Sequence, residues 1–189
     1  MVITVALDRS ADDVREYVAA AKSTHPSLVD PEHRVADLYN VINVPTGIWI
    51  DERGRIVRPN DPVFGNDAFV AMHGIPSGPH LDALRAWVTE GTLPYADDAS
   101  VRAKQVLPRL RDQLARGERA LAWYLHQAGR TEAAERHFVA AGELAPHDFT
   151  IRRGSMPIRG LDPMGAPFAD LYQEWIAAGR PYYRRIDEP

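Results

Sequence analysis

The 189-residue chain contains no cysteine. That excludes disulfides, thiolate metal sites and any thiol chemistry performed by this chain alone. No apolar run approaches the ~20 residues that span a bilayer. The opening residues, MVITVALDRS, lack the basic n-region and cleavage pattern of a secretory signal. The expectation is a cytoplasmic chain with no membrane partner. Lysine is nearly missing: Lys22 and Lys104 stand alone and the other basic residues are arginine. This bias follows no face or motif and reads as genomic base composition. A formal charge of −4 gives no reason to expect nucleic acid as a partner. H-E-x-x-H, P-loop, G-x-S-x-G and paired-carboxylate motifs do not occur, and the histidines (His25, His33, His73, His80, His126, His137 and His147) show no metal-ligand spacing. No catalytic residue, metal site or cofactor is therefore expected.

What is present is ordinary for a globular protein: 45% apolar and 25% charged residues. Residues 2–7, VITVAL, form a β-branched apolar run of the kind that makes a strand buried on both faces. Ser10 is placed to cap a helix over about 11–22, with Asp12 and Asp13 in its first turn and Val14, Tyr17, Val18 and Ala21 as its apolar stripe. Asp30 followed by Pro31 reads as the start of a short helix that buries Val35, Leu38 and Tyr39. Thr46–Ile50 and Arg55–Arg58 read as a hairpin around Asp51–Gly54, where Gly54 supplies a positive φ. Residues 60–78, with three glycines and two prolines, read as a long loop with a helical turn at 66–72. Pro79–Glu90 reads as an amphipathic helix ending at Gly91.

Residues 91–99 read as a linker, and everything beyond as helical. One helix is expected from about Ser100 to 116, kinked at Pro108 and ended by Gly117. Further helices are expected at 118–129, 131–144 and about 166–178, with an irregular, arginine-bearing stretch at 146–165. The last residues, PYYRRIDEP, read as an aromatic and charged tail.

The order of motifs in the first ninety residues carries a resemblance. "HPSLVD", "DLYNV", "INVPT", "IWIDERGRIV" and "LDALRAWVTEG" follow one another as they do in the thioredoxin-like superfamily, in its TlpA/ResA and AhpC/TSA redoxin branch. The resemblance implies an α/β domain over residues 1–91. It implies a cis bond at Val44–Pro45, and a substrate-contacting loop formed by Val44, Pro45 and Thr46. It also implies a preceding strand and a C-x-x-C helix, which this sequence does not contain. A thioredoxin-like sheet without that central strand is incomplete. Its exposed edges are expected to pair directly, to recruit another chain, or to be completed by an upstream extension. The sequence is read here as a truncated form of a longer product.

Residues 118–146 resemble a tetratricopeptide repeat. Leu121, Ala122, Leu125, Gly129, Ala134, Phe138, Ala141 and Pro146 fall at that family's spacing. The second half, 92–189, is accordingly expected to be an all-α tetratricopeptide-like region. Together the two resemblances imply the redox-inert part of a thiol-disulfide oxidoreductase or peroxide-reducing protein. The alternative is a non-catalytic scaffold that binds peptides or partner proteins. The expected partner is a protein or peptide, or the chain itself through unpaired strand edges. Plainer readings stand beside these. Trp49, between Ile48 and Ile50, reads as core. Asp51 and Gly54 read as turn residues, and Asp97–Asp98 as linker or helix-entry charge. Arg152, Arg153 and Arg159 read as a solvated or salt-bridged loop, and His73 and His80 as loop residues that could meet near Pro45.

Overall fold

The computed structural model describes residues 1–62, 65–95 and 97–181. In chain order the elements are β1 (Thr4–Ala6), α1 (Ala11–Ala21), β2 (Ser27–Val29), α2 (Arg34–Leu38), β3 (Thr46–Gly47), β4 (Asp61–Pro62), α3 (Val70–His73), α4 (Ser77–Glu90), α5 (Asp98–Lys104), α6 (Leu110–Gln127), α7 (Thr131–Leu144), α8 (Phe149–Ser155) and α9 (Ala166–Ala177). The protein is mixed α/β and mostly helical. It divides into two compact units: Met1–Ile42 with Pro108–Gly179, and a second built on Asn43–Leu107. The division differs from the boundary at 91/92 read from the sequence. The first forty residues belong with the later helices because long-range polar contacts tie them there. The expected aromatic tail lies, from residue 182 on, outside the described residues.

In the first unit, β1 pairs in parallel with β2, placing Val5 opposite Leu28. Nothing in the local sequence pattern signals a strand at 27–29. Among the described residues β1 has this one partner strand. The expectation that 2–7 is buried on both faces is not met: Met1, Val2 and Ile3 are exposed. Ser10 caps α1 as its sequence implies, accepting a hydrogen bond from the Asp13 amide. The expected apolar stripe of α1 is packed only in part: Val14 and Val18 are half-buried, while Tyr17 and Ala21 are exposed. Asp30 also caps, but further on than expected: its carboxylate accepts from the amides of Arg34, Val35 and Ala36 at 2.8, 2.7 and 3.3 Å. Ala36, not Leu38, is the buried residue of α2.

The helical part departs from expectation at both helix breakers. Pro108 separates α5 from α6 outright, since proline lacks an N–H and disfavours helical geometry in its predecessor. Gly117, expected to end a helix, lies inside α6 instead. An isolated interior glycine costs about 1 kcal/mol relative to alanine, which the buried face of an 18-residue helix outweighs. The α6–α7 turn lies at Gly129, with φ of 74°. Ala122, Leu125, Ala134 and Phe138 pack in one cluster between the two helices, and Ala115, Ala141, Ala145 and Ile151 in a second. α8 occupies part of the stretch read as irregular. Asp148 starts it, accepting from the amides of Thr150 and Ile151. Trp175 and Leu171 of α9 are wholly buried, with Phe149 edge-on to Trp175 at 6.0 Å between ring centroids. The three arginines are engaged, as the plainer reading holds: Arg152 with Glu174, Arg159 with Glu135, and Arg153 over the Phe168 ring.

In the second unit, β3 pairs antiparallel with β4, Thr46 opposite Pro62 and Gly47 opposite Asp61. The expected hairpin is present as a bridge between Ile50 and Ile56. Asp97 caps α5, so the acidic pair marks a helix entry. No helix among the described residues is long and apolar enough to cross a membrane.

Candidate functional site at the Val44–Pro45–Thr46 loop

The loop is fixed by its neighbours in sequence. The Val44–Pro45 bond is cis, as the resemblance implies. Asn43 turns its side chain back to accept from the Val44 amide at 2.9 Å, and the Thr46 hydroxyl donates to the Asn43 carbonyl at 2.5 Å. A proline at the mouth of β3 removes no ladder bond. Val44 is 45% exposed. Its amide is therefore already engaged, and its side chain faces solvent.

In the same unit, side-chain contacts bring together residues that the sequence did not group. Asp61, opposite Gly47 on β4, is buried and ion-paired with Arg58. Arg58 is 2% exposed, and its guanidinium stands 5.0 Å from the centre of the Trp49 ring. Trp49 stacks on Trp87 of α4 at 5.0 Å and 9° between planes. His80, also from α4, meets Trp49 edge-on at 5.7 Å. Trp49 is core, as its apolar flanks suggest. His80 joins it, whereas His73 accepts a hydrogen bond from the Ile75 amide in its own turn. Burial, followed by the Arg58 charge, lowers the His80 pKa to about 4. The imidazole is therefore neutral at physiological pH. Among the described residues Arg58 Nε, Arg58 Nη1 and His80 Nδ1 are buried without a hydrogen-bond partner.

The neighbouring turn is structural. Asp51 accepts from the amides of Arg53 and Arg55, and its other oxygen takes the Arg55 guanidinium. These bonds, the Arg55 amide foremost, lower its pKa.

A second polar cluster lies in the first unit, and it too went unread in the sequence. Buried Arg119 donates to the carbonyls of Pro31 and Glu32 at 3.0 and 2.8 Å. Buried Arg116 donates to the Asp37 carbonyl at 3.3 Å and to the Asn40 side chain. His33 is buried beside Arg119, and its pKa falls to about 4 through burial and then that charge. Burial raises Asp148 to about 6. Arg119 meets backbone carbonyls, and Arg116 meets the Asp37 carbonyl and carboxylate and the Asn40 side chain, so the pair clamps segment 30–40 to α6. Buried arginine is rare, and nothing in local spacing signals it.

The Val44–Thr46 region contains no nucleophilic thiol, and among the described residues no group of three metal-ligating side chains forms. What it offers is an exposed Val44–Pro45 pair at the mouth of β3. No protein-family model matches the chain, and neither a curated protein nor a solved structure matches it.

Proposed function

We propose that this chain is a redox-inert binding module of thioredoxin-like character, followed by a tetratricopeptide-like helical region, and that it engages an extended peptide or partner protein at Val44, Pro45 and Thr46. The observation carrying the reading is the combination of an exposed Val44 on a fixed loop with a sequence free of cysteine. The ordered motifs of residues 25–90 support it. So does the α6–α7 pair, in which Ala122, Leu125, Ala134, Phe138 and Ala141 of the repeat signature are buried. Peptide selection against the 189-residue chain tests it. Selected binders lose affinity for Val44→Asp while binding the parent. Selection that yields no binder, or binders indifferent to Val44→Asp, would end the proposal.

A second reading makes the chain the redox-inert part of a thiol-disulfide oxidoreductase or peroxide-reducing protein whose dithiol is supplied elsewhere. One observation favours it: β1 has a single partner strand among the described residues, and the apolar residues before it are exposed. The mass of the endogenous product discriminates the readings. A longer product bearing C-x-x-C supports the second, and a product of this length supports the first.

A further inference from the structure

Helix α6 carries one face that the first unit does not use. Leu110, Leu114, Leu121 and Tyr124 are 78, 53, 42 and 67% exposed. With Gly117 and Ala128 they fall at alternating spacings of four and three residues, the seam of a coiled coil. The exposed positions flanking this seam on the same side, Gln113, Ala120 and Gln127, are uncharged. The charges of α6 are committed elsewhere. Arg111 donates to the carbonyls of Glu143 and Leu144, and Asp112 pairs with Arg109. Arg116 and Arg119 hold segment 30–40, and Glu118 meets His137. An amphipathic surface helix normally turns its charged side to solvent; α6 turns an apolar one.

We propose that this face is a self-association surface, and that its occupant is α6 of a second copy of the chain lying antiparallel about a two-fold axis. The side-chain sizes along the seam are self-complementary in that arrangement. Gly117 lies opposite Leu121 of the second copy, Leu110 opposite Ala128, and Leu114 opposite Tyr124. Each contact recurs across the axis, as an isologous interface requires, and large residues meet small ones at two of the three levels. A Cβ built at Gly117 would meet nothing within 4 Å, so the notch that receives Leu121 is open in the single chain. At 1.5 Å per residue the strip is about 27 Å long. Two such strips bury on the order of 1,000 Å², the small end of specific interfaces, so the dimer is reversible and concentration-dependent. The seam positions themselves carry no charge, and Arg111 and Glu118 on one flank are engaged within their own copy.

Sedimentation velocity on the full chain over a wide concentration range tests this. The parent shifts reversibly from monomer to dimer. Leu114→Glu and Tyr124→Lys each weaken association by at least about tenfold, because each buries an uncompensated charge. Both positions are exposed in the single chain, and circular dichroism checks that the fold is retained. Mixing the two variants restores dimer, since the register sets residue 114 against residue 124. Gly117→Leu, which adds apolar surface but fills the notch, abolishes it. A parent that stays monomeric overturns the proposal, as does a mixture that fails to recover. Stronger association by Gly117→Leu would also overturn it, by showing a merely adhesive surface. This face lies apart in sequence from Val44–Thr46, so its failure leaves the peptide-binding reading untouched.

Discussion

Acid should loosen the first unit through His33, and the size of the effect follows from where that ring sits. His33 is buried beside the Arg119 guanidinium, which together hold its pKa at about 4 against an ordinary 6.5. In the unfolded chain the ring takes up a proton below 6.5; in the folded chain it does not until about 4. Between those values the unfolded state binds more protons, so stability falls as the pH falls. At about 1.4 kcal/mol per pH unit, the full interval is worth about 3 kcal/mol. Asp148 works in the opposite direction. Its carboxyl is raised to about 6 by burial, so its contribution is greatest at low pH and is lost as the pH rises through 6. A single pH profile therefore mixes the two. His33→Asn separates them, because asparagine tolerates the left-handed backbone found at residue 33, with φ of 58°. The lost ring packing lowers stability by the same amount at every pH, so the change in slope reports the His33 proton alone. Urea unfolding followed by far-UV circular dichroism, run on parent and variant from pH 7.5 to 4, gives the difference. The parent loses about 3 kcal/mol more than the variant across that interval, and an NMR titration places the His33 ring near pH 4. Parallel profiles, or a His33 ring titrating near 6.5, would refute the reasoning.

Three further outcomes are expected. Asp30→Ala removes a carboxylate that holds three amides of α2 and destabilises the first unit by about 2 kcal/mol, measurable by urea denaturation; a loss under about 0.5 kcal/mol would mean that solvent replaces the cap. Asp61→Asn leaves the buried Arg58 charge without its counter-ion and destabilises the second unit by about 3 kcal/mol. Faster hydrogen exchange in α4 reports it, and unchanged exchange there would contradict it. In the parent chain, amides of residues 2–7 exchange faster than those of 118–144, since β1 has one partner strand among the described residues and the α6–α7 pair is packed along its length. Equal, strong protection in dilute monomer would show that the sheet closes without a further strand.

Local signals were legible because their physics is local. Ser10 and its helix, the Asp51–Gly54 turn, Gly91, Gly129 and the end of α9 all depend on residues within four or five positions, where spacing and backbone preference decide the outcome. The candidate loop 44–46 came from the order of motifs and the family they resemble, and the cis Val44–Pro45 bond agrees with that expectation. Tertiary structure decided the rest. β2 exists because β1 lies beside it, twenty-three residues away in register. α6 runs through Gly117 because buried packing along eighteen residues outweighs one unfavourable glycine. Arg116 and Arg119 are buried because carbonyls and a carboxylate from residues 31–40 meet them, and Arg58 because the Trp49 ring lies against it. The apolar seam of α6 was present in the sequence all along, but its spacing alone reads as core. Only burial, which depends on every other element, shows which of its leucines face inward and which face solvent.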